Sequence, residues 1–339
     1  MSKIIAIMLL LCFGMMLFGC TNDNGGRKAG RQKTIIVTDS VGRKVELPYP
    51  LERVAVCNVY NAELITAVGA IDKIVGVDNY IFKDQSGFKN RFNEAQVFGI
   101  SQNAMNYEKL AELAPQAVII TGEGTWRDAQ EMLDRFGIKV IVINSYYTDQ
   151  FADNCRLIGR IFGREEQAEE LVNYFNDKLA YIQKYFEYRT LGKTAVPGDY
   201  FYKMVEYSGA DNIFADAKGS QVDQEVIIEK DPQYIVKVAD ANAYSSYQPP
   251  TIEEEKAIKK ELVLRSGWAG IDAVRNDRIL LLSHYLHGGA SKLVGTIYIA
   301  KFLYPEYLPE LHPEEVFKTW LEKYQQLHYI KGHAYPELY

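Results

Sequence analysis

The sequence predicts an α/β protein in which two α/β lobes are joined by a single long rigid helix. Short runs of aliphatic and β-branched residues alternate with helical patterns before residue 163, and the alternation returns after residue 187. Between them, residues 164–186 carry one apolar stripe at helical spacing. Strands alternating with helices of this length are typical of a parallel sheet covered on both faces. A ligand cleft is therefore predicted between the lobes.

The N-terminal lobe is predicted over residues 34–163 and begins with a hairpin. The runs TIIVTD and KVELP flank SVGR, which places Gly42 at the turn. The strand-like runs VAVC, KIVGVD, AVIITG and KVIVIN follow, and they alternate with the helical segments NAELITAVGA, YEKLAELAP and DAQEMLDRFG. This order predicts βαβ units and a parallel sheet.

The connecting helix is predicted over residues 164–186. It begins after Gly163 with two acids in its first turn, where the helix dipole favours negative charge. At about 1.5 Å per residue such a helix spans over 30 Å. Its apolar stripe consists of Ala168, Leu171, Val172, Phe175, Leu179, Ile182 and Phe186.

The C-terminal lobe is predicted over residues 187–339 and repeats the alternation. Strand-like runs are YFEYRT, QYIVKV and RILLLS, and helical segments are DYFYKMVEYSGA, VDQEVIIEKDP and LVGTIYIAKFLYPE. YFEYRT follows the connecting helix almost directly near Gln183 and Lys184.

The N-terminus predicts export. The apolar run over residues 4–19 is shorter than the roughly 20 residues that span a bilayer, and it follows Lys3. Residues 1–19 are therefore interpreted as a signal peptide, in preference to a transmembrane helix. LFGC resembles a bacterial lipobox, which makes Cys20 the expected lipidated first residue of the mature chain; the alternative is a signal-region cysteine like Cys12. Residues 20–33 are polar and Gly-rich, as expected for a flexible tether.

Composition and motifs narrow the function classes. The net charge is -6 and the sequence has no basic block, so no nucleic-acid partner is expected. The sequence lacks G-x-S-x-G, P-loop and H-E-x-x-H motifs, and Cys57 and Cys155 lack metal-ligand spacing. We expect a binding protein with no enzymatic activity and no resident cofactor. An enzyme and a structural or adhesive lipoprotein stay open as alternatives.

An ordered series of motifs resembles one transporter family. VTDSVGRKVELP and ERVAVCNVYNAELITAVGAIDKIVGVD resemble the opening of the periplasmic-binding-protein family that serves ABC importers of iron-siderophores, haem and cobalamin. LAPQAVII, LIGRIFGREEQAEELV, GADNIFAD, DPQYIV and AVRNDRILLLS continue the resemblance in the family's order over residues 34–305. The family usually has a variable surface segment after the connecting helix, and this sequence departs from that pattern.

The resemblance implies a lipid-anchored substrate-binding protein on the extracytoplasmic face of the cell membrane. It would capture a chelated metal, an iron(III)-siderophore complex, and deliver it to an ABC permease. Haem, cobalamin and an oxyanion are the alternative ligands. The resemblance also implies that Glu108 and Glu225, one in each lobe, pair with permease arginines. Their alternative role is to favour the helix dipole.

Candidate ligand-binding residues follow from the rule that ligands bind beyond the carboxyl ends of strands. Aromatic rings can stack on flat chelates, and arginine can grip carboxylates or catecholates. Together the selected side chains predict a large, flat, anionic ligand. His284 and His287 permit metal ligation, with a supporting or structural role as the alternative, and the tail histidines, including His333, are expected to face solvent. The selected residues are Asn58, Tyr60, Trp126, Arg127, Tyr188, Arg189, Tyr247, His284 and His287.

Overall fold

The computed structural model describes residues 33–83, 87–88, 90–186, 193–195, 202–214, 223–238 and 247–338. The chain opens with the predicted hairpin, in which β1 (Thr34–Thr38) pairs antiparallel with β2 (Lys44–Pro48). Gly42 lies in the turn with φ 81°, a left-handed conformation that glycine adopts without steric cost. This part of the sequence analysis is confirmed.

The N-terminal sheet is parallel and has the strand order β4-β3-β5-β6. Because β3 is central, the chain moves to one side of it for β4 and to the other side for β5. Such a switch leaves a crevice at the carboxyl ends of the strands. The strands are β3 (Val54–Val56), β4 (Ile74–Val77), β5 (Ala117–Ile120) and β6 (Lys139–Val142), and the helices are α1 (Val59–Ala67), α2 (Asn79–Lys83), α3 (Tyr107–Leu113), α4 (Trp126–Asp134) and α5 (Phe151–Phe162).

The long helix α6 (Glu165–Phe186) begins one residue after the predicted start. Most of its stripe belongs to the largest core cluster among the described residues, where Leu171, Phe175 and Ile182 are fully buried. That cluster contains residues from both halves of the chain. Helix α6 contacts helices that precede it and helices that follow it in the sequence. The apolar periodicity was therefore a correct guide to the buried face of this helix.

The C-terminal sheet has the strand order β11-β10-β9-β7-β8. Four strands are parallel, and β11 pairs antiparallel with β10. The predicted fold class, a mixed α/β protein with parallel sheets, is confirmed. The strands are β7 (Lys193–Ala195), β8 (Asp211–Asn212), β9 (Tyr234–Val238), β10 (Ile279–Leu282) and β11 (Ala334–Tyr335), and the helices are α7 (Tyr202–Tyr207), α8 (Gln224–Lys230), α9 (Ile252–Val263), α10 (Asp272–Arg275), α11 (Lys292–Leu303) and α12 (Pro313–Thr319).

The strand predicted at YFEYRT is wrong at its start, because Tyr185 and Phe186 still belong to α6. Residues 187–192 lie outside the described ranges, and the first described strand of this sheet begins at Lys193. The apolar periodicity of α6 continues in the sequence as far as Phe186, which agrees with a helix through this aromatic pair.

The tail folds back on the C-terminal sheet, which corrects the expectation for His333. Its ring is 2% exposed and packs against Phe317 at a centroid distance of 4.8 Å. Nδ1 lies 2.6 Å from the Ser283 hydroxyl, and burial lowers the pKa of His333 to about 3. The imidazole is therefore a neutral core group, and β11, which begins at the next residue, pairs with β10.

Candidate ligand-binding cleft

A cavity of about 450 Å³ lies at the carboxyl ends of the N-terminal strands. Segments that follow β3, β4 and β5 form one wall, and the segment that follows β10 forms the facing wall. The site therefore uses both halves of the chain. The described lining residues are Asn58, Val59, Tyr60, Glu63, Asp78, Tyr80, Ser101, Gln102, Asn103, Thr121, Glu123, Gly124, His284, Tyr285, Gly288 and Ser291.

Asn58 holds the start of α1 at the cavity. Its φ of 77° is in the left-handed region, which asparagine tolerates better than most residues. The Asn58 side chain accepts a hydrogen bond from the Tyr60 N–H at 2.9 Å, and the Asn58 N–H donates to Asp78 Oδ2 at 3.1 Å. These bonds fix the first turn of α1, so that both Asn58 and Tyr60 contribute to the wall.

Asp78 is a buried carboxyl on the same wall, with 2% of its surface exposed. Its oxygens accept from the N–H groups of Asn58 and Ile81, at 3.1 and 2.9 Å. Burial raises the pKa of Asp78 to about 6, and these backbone hydrogen bonds oppose the shift without cancelling it. The cavity thus contains a carboxylate that is ionised at neutral pH and protonated in mild acid.

Because the folded-state pKa of Asp78 is raised, this group stabilises the fold fully below about pH 4 and loses that contribution as the pH rises through about 6. Asp78 should contribute roughly 2 kcal/mol more to the free energy of unfolding at pH 4 than at pH 7. Urea unfolding of Asp78→Asn at the two pH values should lack this difference. The exposed Asp134→Asn is the control and should keep the wild-type pH dependence. Equal pH dependence in wild type and Asp78→Asn would refute the assignment.

The facing wall approaches α1 closely through two glycines. A Cβ added at Gly288 would lie 2.7 Å from Tyr60 Cε1. Gly289 has φ 48°, and its added Cβ would lie 2.7 Å from Tyr60 Cδ1 and would also meet Glu63 Oε2. The Ala290 N–H donates to Glu63 Oε2 at 3.2 Å. Only glycine allows this backbone to pack against α1 without displacement.

His284 and His287 do not present the same face. His284 lines the cavity, and its ring meets that of His287 edge-on at a centroid distance of 5.3 Å. Burial, and then the charges of Lys292 and His284, lower the pKa of His287 to about 3. His287 is therefore a neutral ring behind His284 and is outside the cavity lining.

The structure brings Asn58, Tyr60 and His284 together but does not bring Trp126 or Arg127 into the cavity lining. The indole of Trp126 is 9% exposed and belongs to the core beneath α4. The guanidinium groups of Arg43 and Arg127 lie 4.3 and 4.2 Å from its ring. The loop position was predicted correctly, but the amphipathic side of α4 turns the indole inward.

The remaining predicted contacts are placed differently or are not described. Tyr247 is also outside the lining, and its hydroxyl donates to the His328 carbonyl. Its ring lies 6.4 Å from that of the lining residue Tyr285. Tyr188, Arg189 and Cys20 lie outside the described residues.

Several lining residues were not predicted from the sequence, above all the acids Glu63, Asp78 and Glu123. The rule of strand carboxyl ends could have found two of them, because Asp78 follows β4 and Glu123 follows β5. Glu63 gives no such signal, since it lies within α1 and only the glycine approach from the other wall brings it to the site.

The side chains that commonly bind metals do not form a candidate metal site among the described residues. Within the described ranges, no three His, Cys, Asp or Glu side chains gather as a metal ion would require. Cys57 and Cys155 are free and buried, and burial raises the pKa of both thiols. No helix in the described ranges combines the length and apolar character that crossing a bilayer requires.

The family model described as periplasmic binding protein matches residues 54–286. The chain belongs to the periplasmic binding protein family. It is 24% identical to the molybdate-binding protein MolA of Haemophilus influenzae, over 88% of this chain and 93% of that protein. It is 21% identical to the petrobactin-binding protein YclQ of Bacillus subtilis, over 85% and 94% of the two chains.

Solved structures agree on the fold of this periplasmic binding protein. The crystal structure of FepB from Veillonella parvula, a TroA-like periplasmic binding protein, has a TM-score of 0.72 and 22% identity. The match covers 88% of this chain and 99% of that one. The protein is thus a substrate-binding protein of an ABC importer that works outside the cytoplasm and delivers its ligand to a permease. Its family and relatives are binding proteins, not enzymes.

Proposed function

We propose that this protein captures a chelated metal, an iron(III)-siderophore complex, and delivers it to an ABC permease. The observation that carries the proposal is the cavity of about 450 Å³ between two walls. Its volume falls within the range of roughly 300–1,000 Å³ typical of small-molecule sites, and it is lined by aromatic and polar groups. In the described part of the chain no three His, Cys, Asp or Glu side chains are placed to hold a bare metal ion, which supports a ligand that brings its own chelator.

The relatives support a chelate or an oxyanion. YclQ, at 21% identity, is named for petrobactin. MolA, at 24% identity, is named for molybdate. Identity this low does not transfer a ligand, and the size of the cavity favours the larger of the two. Haem and cobalamin are the alternative ligands.

The proposal is tested by calorimetric titration with ferric chelates, molybdate, haem and cobalamin. Tyr80 lines the cavity and is 47% exposed, so its truncation should spare the fold. Tyr80→Ala should weaken chelate binding roughly tenfold, because a stacking ring is lost. The matched control is Phe136→Ala, an aromatic residue 48% exposed and outside the lining. Equal affinities of the two variants would place the ligand elsewhere.

Delivery requires contact with the permease, for which we propose Glu108 and Glu225. Glu108 is exposed in the first turn of α3, and Glu225 is exposed in the first turn of α8. One lies in each half of the chain, which supports a role in docking both walls of the cleft at once. Arginine side chains on the permease would be the partners, through charge-assisted hydrogen bonds.

We also propose that Cys20 carries lipid and holds the protein at the membrane. The support is the border at which an apolar run of the sequence ends and a polar tether begins. Cys20→Ala should shift the protein from the membrane fraction to the soluble fraction or leave it unprocessed. Fractionation and mass spectrometry of the N-terminus measure both outcomes. A processed, unmodified N-terminus in the wild-type protein would exclude lipidation.

A further inference from the structure

The C-terminal segment crosses between the two halves of the chain. Residues 320–335, which we call the strap, begin against the connecting helix α6, where the buried ring of Trp320 lies 5.8 Å from that of Phe175. The backbone over Trp320–Tyr324 forms one turn of π-helix, a wide turn that is rare in proteins and frequent at functional sites. The strap is therefore anchored to the helix that joins the two halves.

The strap next contacts the first wall of the cavity through Gln325. This side chain is 3% exposed, and its Nε2 donates to the backbone carbonyl of Glu63 at 3.2 Å. Glu63 lies in α1 and lines the cavity. Arg91, which follows α2, donates to the carbonyls of Gln325 and Gln326 at 2.5 and 3.3 Å. Because a buried polar group left unpaired costs free energy, these bonds fix the point at which the strap meets α1.

The far end of the strap reaches the facing wall. The His333 carbonyl accepts from the Ser283 N–H at 2.8 Å, and the Ser283 hydroxyl lies 2.6 Å from His333 Nδ1. Ser283 directly precedes His284, which lines the cavity. The strap is thus hydrogen-bonded to α1 on one wall and to the start of the His284 segment on the other.

Helix α1 contacts both the strap and the facing wall. Its neighbours include Trp320–Tyr324 and Gly289–Ser291. Glu63 takes part in both contacts, because its carbonyl accepts from Gln325 while its Oε2 accepts from the Ala290 N–H at 3.2 Å. A shift of Gln325 would therefore move the residue that bonds α1 to the facing wall.

We infer that the strap sets the spacing of the two cavity walls and that Gln325 is its positioning residue. Gln325 lies outside the cavity lining and acts through Glu63. The two halves of the chain are then joined twice, by α6 and by the strap. This spacing matters for any ligand of the cavity, and only the affinity measurement below rests on the proposed function.

Amide hydrogen exchange of the full chain tests the strap without a ligand. Gln325→Ala should raise the exchange rate of the Ala290 amide roughly tenfold relative to the amides of α5, because Glu63 loses its bond to the strap. Arg91→Met keeps the apolar stem and removes the two bonds to the strap, so it should raise the same ratio roughly threefold. This variant tests the same step if Gln325→Ala does not fold.

Gln116→Ala is the matched control. The Gln116 side chain accepts from the N–H groups of Glu52 and Arg53 at 2.7 and 3.1 Å, and it lies just before β5, outside the lining. Its loss should lower the global stability, which raises both exchange rates alike. The ratio of Ala290 exchange to α5 exchange should therefore stay at the wild-type value.

Calorimetric titration with a ferric tris-hydroxamate and a ferric tris-catecholate gives the second measurement. A probe that binds the wild-type protein should bind Gln325→Ala roughly tenfold more weakly and Gln116→Ala equally well, because a site loses affinity when its supporting contacts loosen.

The outcomes separate the strap from the proposed function. A wild-type exchange ratio in both strap variants, or an equal rise in Gln116→Ala, would refute the strap. A raised ratio with unchanged affinity for a bound probe would refute the positioning role of Gln325. If the ratio rises and neither probe binds the wild-type protein, the strap stands and the proposed function fails.

Discussion

Gly289→Ala should destabilise the protein by roughly 2–5 kcal/mol and disrupt ligand binding. At φ 48° a residue with a Cβ is strained by about 1–2 kcal/mol. The new methyl group would also lie 2.7 Å from Tyr60 Cδ1 and would contact Glu63 Oε2. Overpacking of this kind costs about 1–3 kcal/mol more. Since the side chains of Tyr60 and Glu63, which line the cavity, must then shift, chelate affinity should fall together with the unfolding free energy.

Gly137→Ala is the matched control for backbone strain alone. Gly137 has φ 71°, and an added Cβ would find no atom within 4 Å. Its loss of stability should stay near 1–2 kcal/mol, with chelate affinity unchanged. Urea unfolding and calorimetric titration of the two variants measure the difference. Equal losses in both variants would show that the close approach to α1 contributes nothing.

The double variant Glu108→Ala with Glu225→Ala should reduce uptake by at least about tenfold while chelate affinity stays at the wild-type value. The physical reason is that each truncation removes one partner of a charge-assisted contact, which costs about 2–5 kcal/mol where the contact is buried on docking. Both side chains are exposed in the free protein and lie outside the cavity lining, so the fold and the site should be unaffected.

Transport in whole cells and calorimetric titration of the purified variant separate docking from binding. The matched control is Glu131→Ala with Glu229→Ala, which removes one exposed acid from each half of the chain. If the Glu108 and Glu225 variant transports normally, both residues return to the alternative in which they only favour the dipoles of α3 and α8.

Local periodicity predicted much of the fold. In the hairpin, the buried strands and the long helix α6, the spacing of the apolar residues reflects which face of the element is buried. That spacing can be read directly from the sequence. The sequence does not predict helix α9 (Ile252–Val263), because its residues are mostly charged and give a weak apolar stripe. The end of α6 was predicted at Phe186, where the structure has it, but the strand predicted at YFEYRT overlaps this helix end because these residues satisfy a strand pattern as well as a helical one.

The site was harder to predict than the fold. The rule of strand carboxyl ends selected the correct loops, which brought Asn58, Tyr60 and His284 to the cavity. It could not tell which side chain of a loop faces inward, and so Trp126 was assigned to the ligand when its ring lies in the core. Glu63 and His333 acquire their positions from contacts across the chain that local sequence does not encode.

The central claim, that this protein binds a metal chelate in its cleft, is tested most directly by native mass spectrometry of the protein purified from its own host. The account predicts one adduct per chain, with the isotope pattern of iron and the mass of an organic chelator. Collision should release metal and chelator together. An adduct with the mass of molybdate or of cobalamin would contradict the account.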